Sequence, residues 1–273
     1  MITNRTYGMD ADVISYNARI VAGGNQSLSM QSLRQLNQFV ISIKKMNLWT
    51  SMICWPLRAN QNAGSANTVY SLGASQTSNA TKTGGSWGPD GIFFSSSNEY
   101  MLSDLTNTPK DITLFVVAKG NGATYSSFPW IGGVYHPSFY YTSSLALGNA
   151  TSSNELLMGV GQPSTYSTTS TVNNGLSNSS SFVALCGSYK RNSVFNVRNL
   201  SASTVGIQAS YPTDESTTIT KMVLNGRWSN GTIQQANPMT SSFFAIITPN
   251  CDSIISNFHS LYKTTLGQDL GLP

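Results

Sequence analysis

Charge is what this chain most lacks. Only 10% of its 273 residues are Asp, Glu, Lys or Arg, against about 25% in an ordinary soluble domain. Its polar surface therefore cannot be built mainly from ion pairs. The 15 Lys and Arg exceed the 11 acids by four, yet they form no run longer than Lys44-Lys45 or Lys190-Arg191, so a nucleic-acid partner is not expected. Cysteine is scarce as well. Cys54, Cys186 and Cys251 are odd in number and show no C-x-x-C spacing, which excludes a complete disulfide framework and a zinc knuckle and suits buried thiols. No apolar run approaches the ~18 residues of a membrane span. The opening MITNRTYGMDADV lacks the basic-then-apolar design of a signal peptide. A soluble chain made without Sec-type export, with no membrane partner, is the expectation.

What the chain has in excess is Ser, Thr and Asn, at 41, 27 and 25 residues. With 11 Phe, 12 Tyr and 5 Trp beside them, a disordered polar tract is excluded and a packed core is expected. From Asp10 to Trp49 the pattern is helical. Asp10 or Asp12 caps a helix carrying Ile14, Ala18 and Val21, stopped by Gly23-Gly24. A second helix over Leu28 to Met46 carries Leu33, Leu36, Val40 and Ile43 at three- and four-residue spacing. Past Met52 the period changes. Strands are expected at Met52–Trp55, Gly91–Phe94, Tyr100–Ser103, Ile112–Ala118, Trp130–Val134, Ser144–Leu147, Leu156–Val160, Phe182–Tyr189, Ser193–Val197, Lys221–Leu224 and Phe243–Ile247. Ile112–Ala118 and Phe182–Ser188 are the most apolar, as central strands covered on both faces would be. Gly161–Ser181 and Ser201–Thr220 read as long loops or polar edge strands. Thr248-Pro249 opens a closing helix over 249–266, with Ile254, Ile255, Phe258, Leu261 and Tyr262 on one face. The division is an N-terminal helical segment over 1–50 and a mainly β, antiparallel sandwich domain over 51–273.

The runs Gly91-Ile-Phe-Phe94, Asn98-Glu-Tyr-Met-Leu102, Ile112-Thr-Leu-Phe-Val-Val-Ala118 and Phe182 to Phe195, with the last strand before a helix, are similar in order to concanavalin A-like (laminin-G-like) jelly-roll sandwiches over residues 50 to 265. The preface is narrower. Asp10-Ala-Asp12, Ala22-Gly-Gly, Leu33-Arg34, Asn37-Gln-Phe39 and Asn47-Leu-Trp49, running into Trp55-Pro-Leu57 and Gly73, resembles the opening of bacteriophage virion structural proteins with a lectin-like domain. That resemblance implies a virion part made in the host cytoplasm, such as a capsid decoration (cement) protein contacting the major capsid protein and its own copies. The alternative it leaves open is a tail-fibre or baseplate adhesin for a host glycan. Within it, lectin-like sandwiches often hold calcium with backbone carbonyls and one or two carboxylates, and Asp90 or Asp104 could be such a ligand, though no metal or other cofactor is assigned.

Chemistry in the residues is sparse. Retaining glycosidases need two carboxylates ~5 Å apart, but Glu99, Glu155 and Glu215 are isolated and Asp214-Glu215 is the only adjacent pair. His136 and His259 are the two histidines, and no G-x-S-x-G elbow marks a nucleophile. A non-enzymatic protein is expected, with no catalytic residue. Sugar sites need a flat aromatic for the apolar ring face, flanked by amides and hydroxyls. Trp130, Tyr135, His136, Tyr140 and Tyr141 supply these in one stretch, with Trp87 and Trp228 as alternative platforms. For assembly into a homo-oligomer, the stripe Leu33, Leu36, Val40 and Ile43 is the candidate interface.

Overall fold

The computed structural model describes residues 8–73, 76–96, 98–108, 111–120, 130–135, 145–149, 156–161, 166–171, 176, 181–190, 194–202, 204–205, 209–210, 219–229, 231–234, 238–248 and 252–273. Two antiparallel sheets stack face to face. The inner sheet runs Thr204–Val205, Val194–Asn199, Val183–Lys190, Ile112–Gly120, Met239–Ile247, Met52–Pro56 and Leu72–Gly73. Ala209–Ser210 also pairs with Val194–Asn199, and Ile92–Phe94, flanked by Ser86–Trp87, pairs with Met239–Ile247. The outer sheet runs Tyr166–Thr171, Leu156–Gly161, Leu145–Asn149, Trp130–Tyr135, Ile219–Leu224, Tyr100–Thr108, Ala80–Thr83 and Thr68–Val69. A hairpin of Arg227–Ser229 with Thr232–Gln234 pairs only with itself. This mainly β, sandwich-like architecture is the one expected from the strand pattern. The Ser/Thr-rich Gly161–Ser181 stretch supplies the edge strand Tyr166–Thr171.

The inner sheet is covered on both faces, and the alternation of its side chains shows how. Leu114, Val116, Phe244 and Ile246 point into the core shared with Ile131, Val134, Met222 and Leu224 of the outer sheet. Their neighbours Phe115, Val117, Phe243 and Ala245 point the other way, into a second core beneath the helices. Every residue of Met239–Ile247 is consequently buried, as expected of a strand with no solvent-facing side.

Three helices roof this second core: α1 (Ala11–Ala22), α2 (Met30–Lys45) and α3 (Ile255–Thr264). Asp10 caps α1 by accepting from the Asp12 N–H at 3.0 Å. Ser29 caps α2 through the Ser32 N–H at 3.1 Å. Lys44 then bonds Asp10 at 2.7 Å and Asp12 at 2.6 Å, fastening the two helices together. In α1 the buried residues are Val13, Tyr16 and Ile20, and the expected stripe Ile14, Ala18 and Val21 is exposed. Both sets fit a helical period. The Tyr16 hydroxyl reaches the Gln61 carbonyl at 2.9 Å, so a polar-tipped ring could be buried and the aliphatic set left outside.

Rings fill the roof. Phe115 meets Phe258 edge-on at 4.9 Å, and Phe39 meets Phe243 edge-on at 5.7 Å. The closing helix begins later than Thr248-Pro249 suggested, after a 3-10 turn at Asp252–Ile254. The Thr248 hydroxyl donates instead to the Ser51 carbonyl at 3.0 Å, spending its side chain on the neighbouring strand. Beyond α3, the Arg58 guanidinium grips both Asp269 oxygens at 2.6 Å and the Leu266 carbonyl at 3.0 Å. That fork holds the Asp269 carboxyl below the usual carboxylate range. Glycine is required where strands crowd: at Gly73, φ is +114° and a Cβ would lie 2.1 Å from the Met52 carbonyl oxygen.

Candidate functional site

The outer sheet has no helix on its far face among the described residues. What lies there is a small aromatic cluster of Trp130, Tyr135 and Val223, with Leu102, Trp228 and Ile233 packed against it. Two irregularities build it. The pairing of Leu145–Asn149 with Trp130–Tyr135 slips between Leu147 and Gly148, so that Trp130 and Tyr135, at odd spacing, share the outer cluster while Ile131 and Val134 share the inter-sheet core. Such a bulge re-aims side chains. The second irregularity is Asn225 at φ +62°, followed by Gly226 at +142°. Asn225 tolerates this left-handed turn, and its side-chain amide donates to the Glu99 carbonyl at 2.6 Å. The chain leaves the Ile219–Leu224 strand there and folds back as the 227–234 hairpin.

The hairpin's contacts are aromatic and cationic. The Tyr135 hydroxyl donates to the Gly226 carbonyl at 3.3 Å. The Arg227 guanidinium lies 5.9 Å from the centre of the Trp130 ring, and the Lys221 ammonium 5.4 Å from that of Trp228. Both are within cation–π range. Lys221 is also ion-paired to Asp104, opposite it on the Tyr100–Thr108 strand. The Asp104 side chain is 82% exposed and that of Lys221 23%. Burial pushes the Tyr135 hydroxyl well above the usual phenol range, with Arg227 opposing it. The arrangement sets a half-buried indole, a hydrogen-bond donor and an accessible acceptor close together on a sheet face.

Trp130 and Tyr135 come together here, but at 3% and 2% exposure they form the floor of the cluster and present no open ring. Trp228, half-buried, is the more accessible indole. His136, Tyr140 and Tyr141 lie outside the described residues. Trp87 is set elsewhere, its indole N–H donating to the Ala66 carbonyl at 2.7 Å. Lys221, Asp104 as its partner, and Arg227 were not picked out by sequence reasoning as parts of one site. The signal that could have found the hairpin is Asn230-Gly231 between Arg227-Trp228-Ser229 and Thr232-Ile233-Gln234.

The expected assembly stripe is corrected by the structure. Leu33 is 4% exposed and Leu36, Val40 and Ile43 are fully buried, packed in this chain's own helix-roofed core. They cannot meet a partner without unfolding, because the apolar face of the inner sheet already occupies them. The two candidate calcium acids are spent on separate lysines, Asp90 on Lys119 at 3.4 Å and Asp104 on Lys221. Among the described residues no three His, Cys, Asp or Glu side chains converge. Cys54 and Cys186 are both buried, and burial raises the Cys54 thiol far above its ordinary range. His259 is packed in the roof beside Phe115, and burial, with Lys263 nearby, lowers its pKa to about 4. Among the described residues no helix is long and apolar enough to cross a membrane.

No protein-family model matches this chain, and no curated protein matches its sequence. Solved structures do match its fold. The chain is similar to Trypanosoma rangeli sialidase in complex with a 2,3-difluoro-KDN ligand, with a TM-score of 0.57 and 11% identity over 87% of this chain and 40% of that one. It is similar to botulinum neurotoxin type C, described as dependent upon interaction with two ganglioside molecules to get into cells, with a TM-score of 0.55 and 13% identity over 80% of this chain and 53% of that one. The binding domain of botulinum neurotoxin serotype D gives 0.55 and 12%, over 79% and 52%. This chain thus spans about half the length of each toxin chain and less of the sialidase. At such identities the likeness establishes the β-sandwich fold.

Proposed function

We propose that this chain is a non-enzymatic glycan-binding module whose contact surface is the outer-sheet face around Trp228, Lys221 and Asp104. The observation that carries the reading is the exposed Asp104–Lys221 pair set against the Trp228 indole. A pyranose needs such a combination, an aromatic surface for its C–H face and charged or polar groups for its hydroxyls. The similarity to a toxin that interacts with gangliosides is in keeping with it. Binding of the full chain to a glycan array, followed by calorimetry on the best hit, tests the proposal. Trp228→Ala should abolish the signal while leaving the circular dichroism spectrum intact. A full-strength signal from that variant, or an empty array, overturns it.

A second reading places the chain in a bacteriophage particle made in the host cytoplasm, as a capsid decoration protein touching the major capsid protein and its own copies. It is motivated by the resemblance of the opening residues Asp10 to Trp49 to those of virion structural proteins, and by a composition with only 10% charged residues, which leaves little charge to repel packed copies. Cryo-electron microscopy of assembled particles tests it: density for this chain on the capsid supports the reading, and its absence from purified particles removes it.

A further inference from the structure

We infer that the Trp228 site, if the glycan reading above holds, selects uncharged saccharides over carboxylated ones. Among the described residues, Arg227, Lys221 and Asp104 are the charged groups at the cluster, and the last two can be reached. Arg227 is 7% exposed and its guanidinium lies over Trp130, so it is committed to the floor. The reachable pair is Lys221 with Asp104, whose charges cancel. An exposed ion pair is weakly held, and a hydroxyl group can slip between its members because it donates and accepts at once. The hydroxyl gives its proton to the Asp104 carboxylate and accepts from the Lys221 ammonium, so neither charge loses a partner. A carboxylate cannot do this. It accepts only, so at best it shares Lys221 with Asp104 and sets a second anion beside the first, with one cation between them.

The Lys221 ammonium lies 5.4 Å from the centre of the Trp228 ring, so the pair also limits how far a saccharide ring resting on the indole can slide. The site therefore reads two features together, an apolar ring face and an adjacent hydroxyl.

The test is calorimetric titration of the full chain with lactose and N-acetyllactosamine, each paired with its sialylated counterpart. The neutral member of each pair should bind at least about tenfold tighter, with affinity little changed between about 50 and 500 mM salt. Asp104→Asn and Lys221→Met should each weaken the neutral ligand by about tenfold. Tighter binding of the sialylated members, strengthened by Asp104→Asn and lost with salt, overturns the inference while leaving a glycan-binding module in place. Binding of neither class, on these probes and on the array, removes both readings. Asp104 is so exposed that its substitution tests the site without risk to the fold.

Discussion

The two outward sides of the sandwich are finished differently. Over the inner sheet lie three helices whose side chains interlock in a dry core of rings, from Phe39 and Phe115 to Phe258 and Tyr262. Over the outer sheet, among the described residues, lies a self-paired hairpin, held by a long hydroxyl bond and two cations over indoles. The first side is built from apolar area, which scales with every methyl buried. The second depends on a handful of polar and aromatic contacts, individually modest. Stability therefore resides under the helices and adaptability under the hairpin, and substitutions on the two sides should separate accordingly.

The sharpest break is expected at Leu36→Asp, which places an unpaired carboxylate in the helix-roofed core. More than about 4 kcal/mol should be lost, seen as insoluble expression or a collapsed urea midpoint. A folded, soluble variant with only an altered oligomeric state would instead restore α2 as an assembly surface. Phe243→Ala comes next, because the ring touches Phe39, Phe115 and Tyr262. A loss of about 3–5 kcal/mol is expected by chemical denaturation. Acid should act on the same side. His259 is held neutral, with its pKa lowered to about 4, while in the unfolded chain it titrates near 6.5. The unfolded state thus takes up a proton that the folded state refuses, so stability is full above about pH 6.5 and declines down to about pH 4. The thermal midpoint should fall by several degrees across that window, and His259→Phe should remove that part of the slope. The smallest effect belongs to the other side: Trp228→Ala should cost about 1 kcal/mol, despite being the substitution that abolishes binding.

Much of this architecture was legible before any coordinates, for a physical reason. Segments such as Ile112–Ala118 and Phe243–Ile247 are rich in β-branched, aromatic and aliphatic residues and carry no charge, a pattern that double-sided burial favours. Short elements carry too few residues to show a period, so the strands Thr68–Val69, Ala80–Thr83 and Ser86–Trp87 left no trace. Helix faces were ambiguous where two stripes compete. In α1 the choice of Val13, Tyr16 and Ile20 over Ile14, Ala18 and Val21 depends on the Gln61 carbonyl, a partner distant in sequence. The candidate site was half legible. Trp130 and Tyr135 share a strand and could be paired by eye, whereas Asp104, Lys221 and Trp228 meet only through strand register and the left-handed turn at Asn225.

The place of Met239–Ile247 between Ile112–Gly120 and Met52–Pro56 has a consequence for biosynthesis. The strand that joins the two halves of the inner sheet leaves the ribosome well after both of its neighbours, so they wait with bare, greasy edges. Closing such long loops is slow, and an edge left open invites a wrong partner. Nascent chains should be vulnerable to clumping until that late segment arrives, and a cooler, slower expression regime should raise the yield of soluble protein.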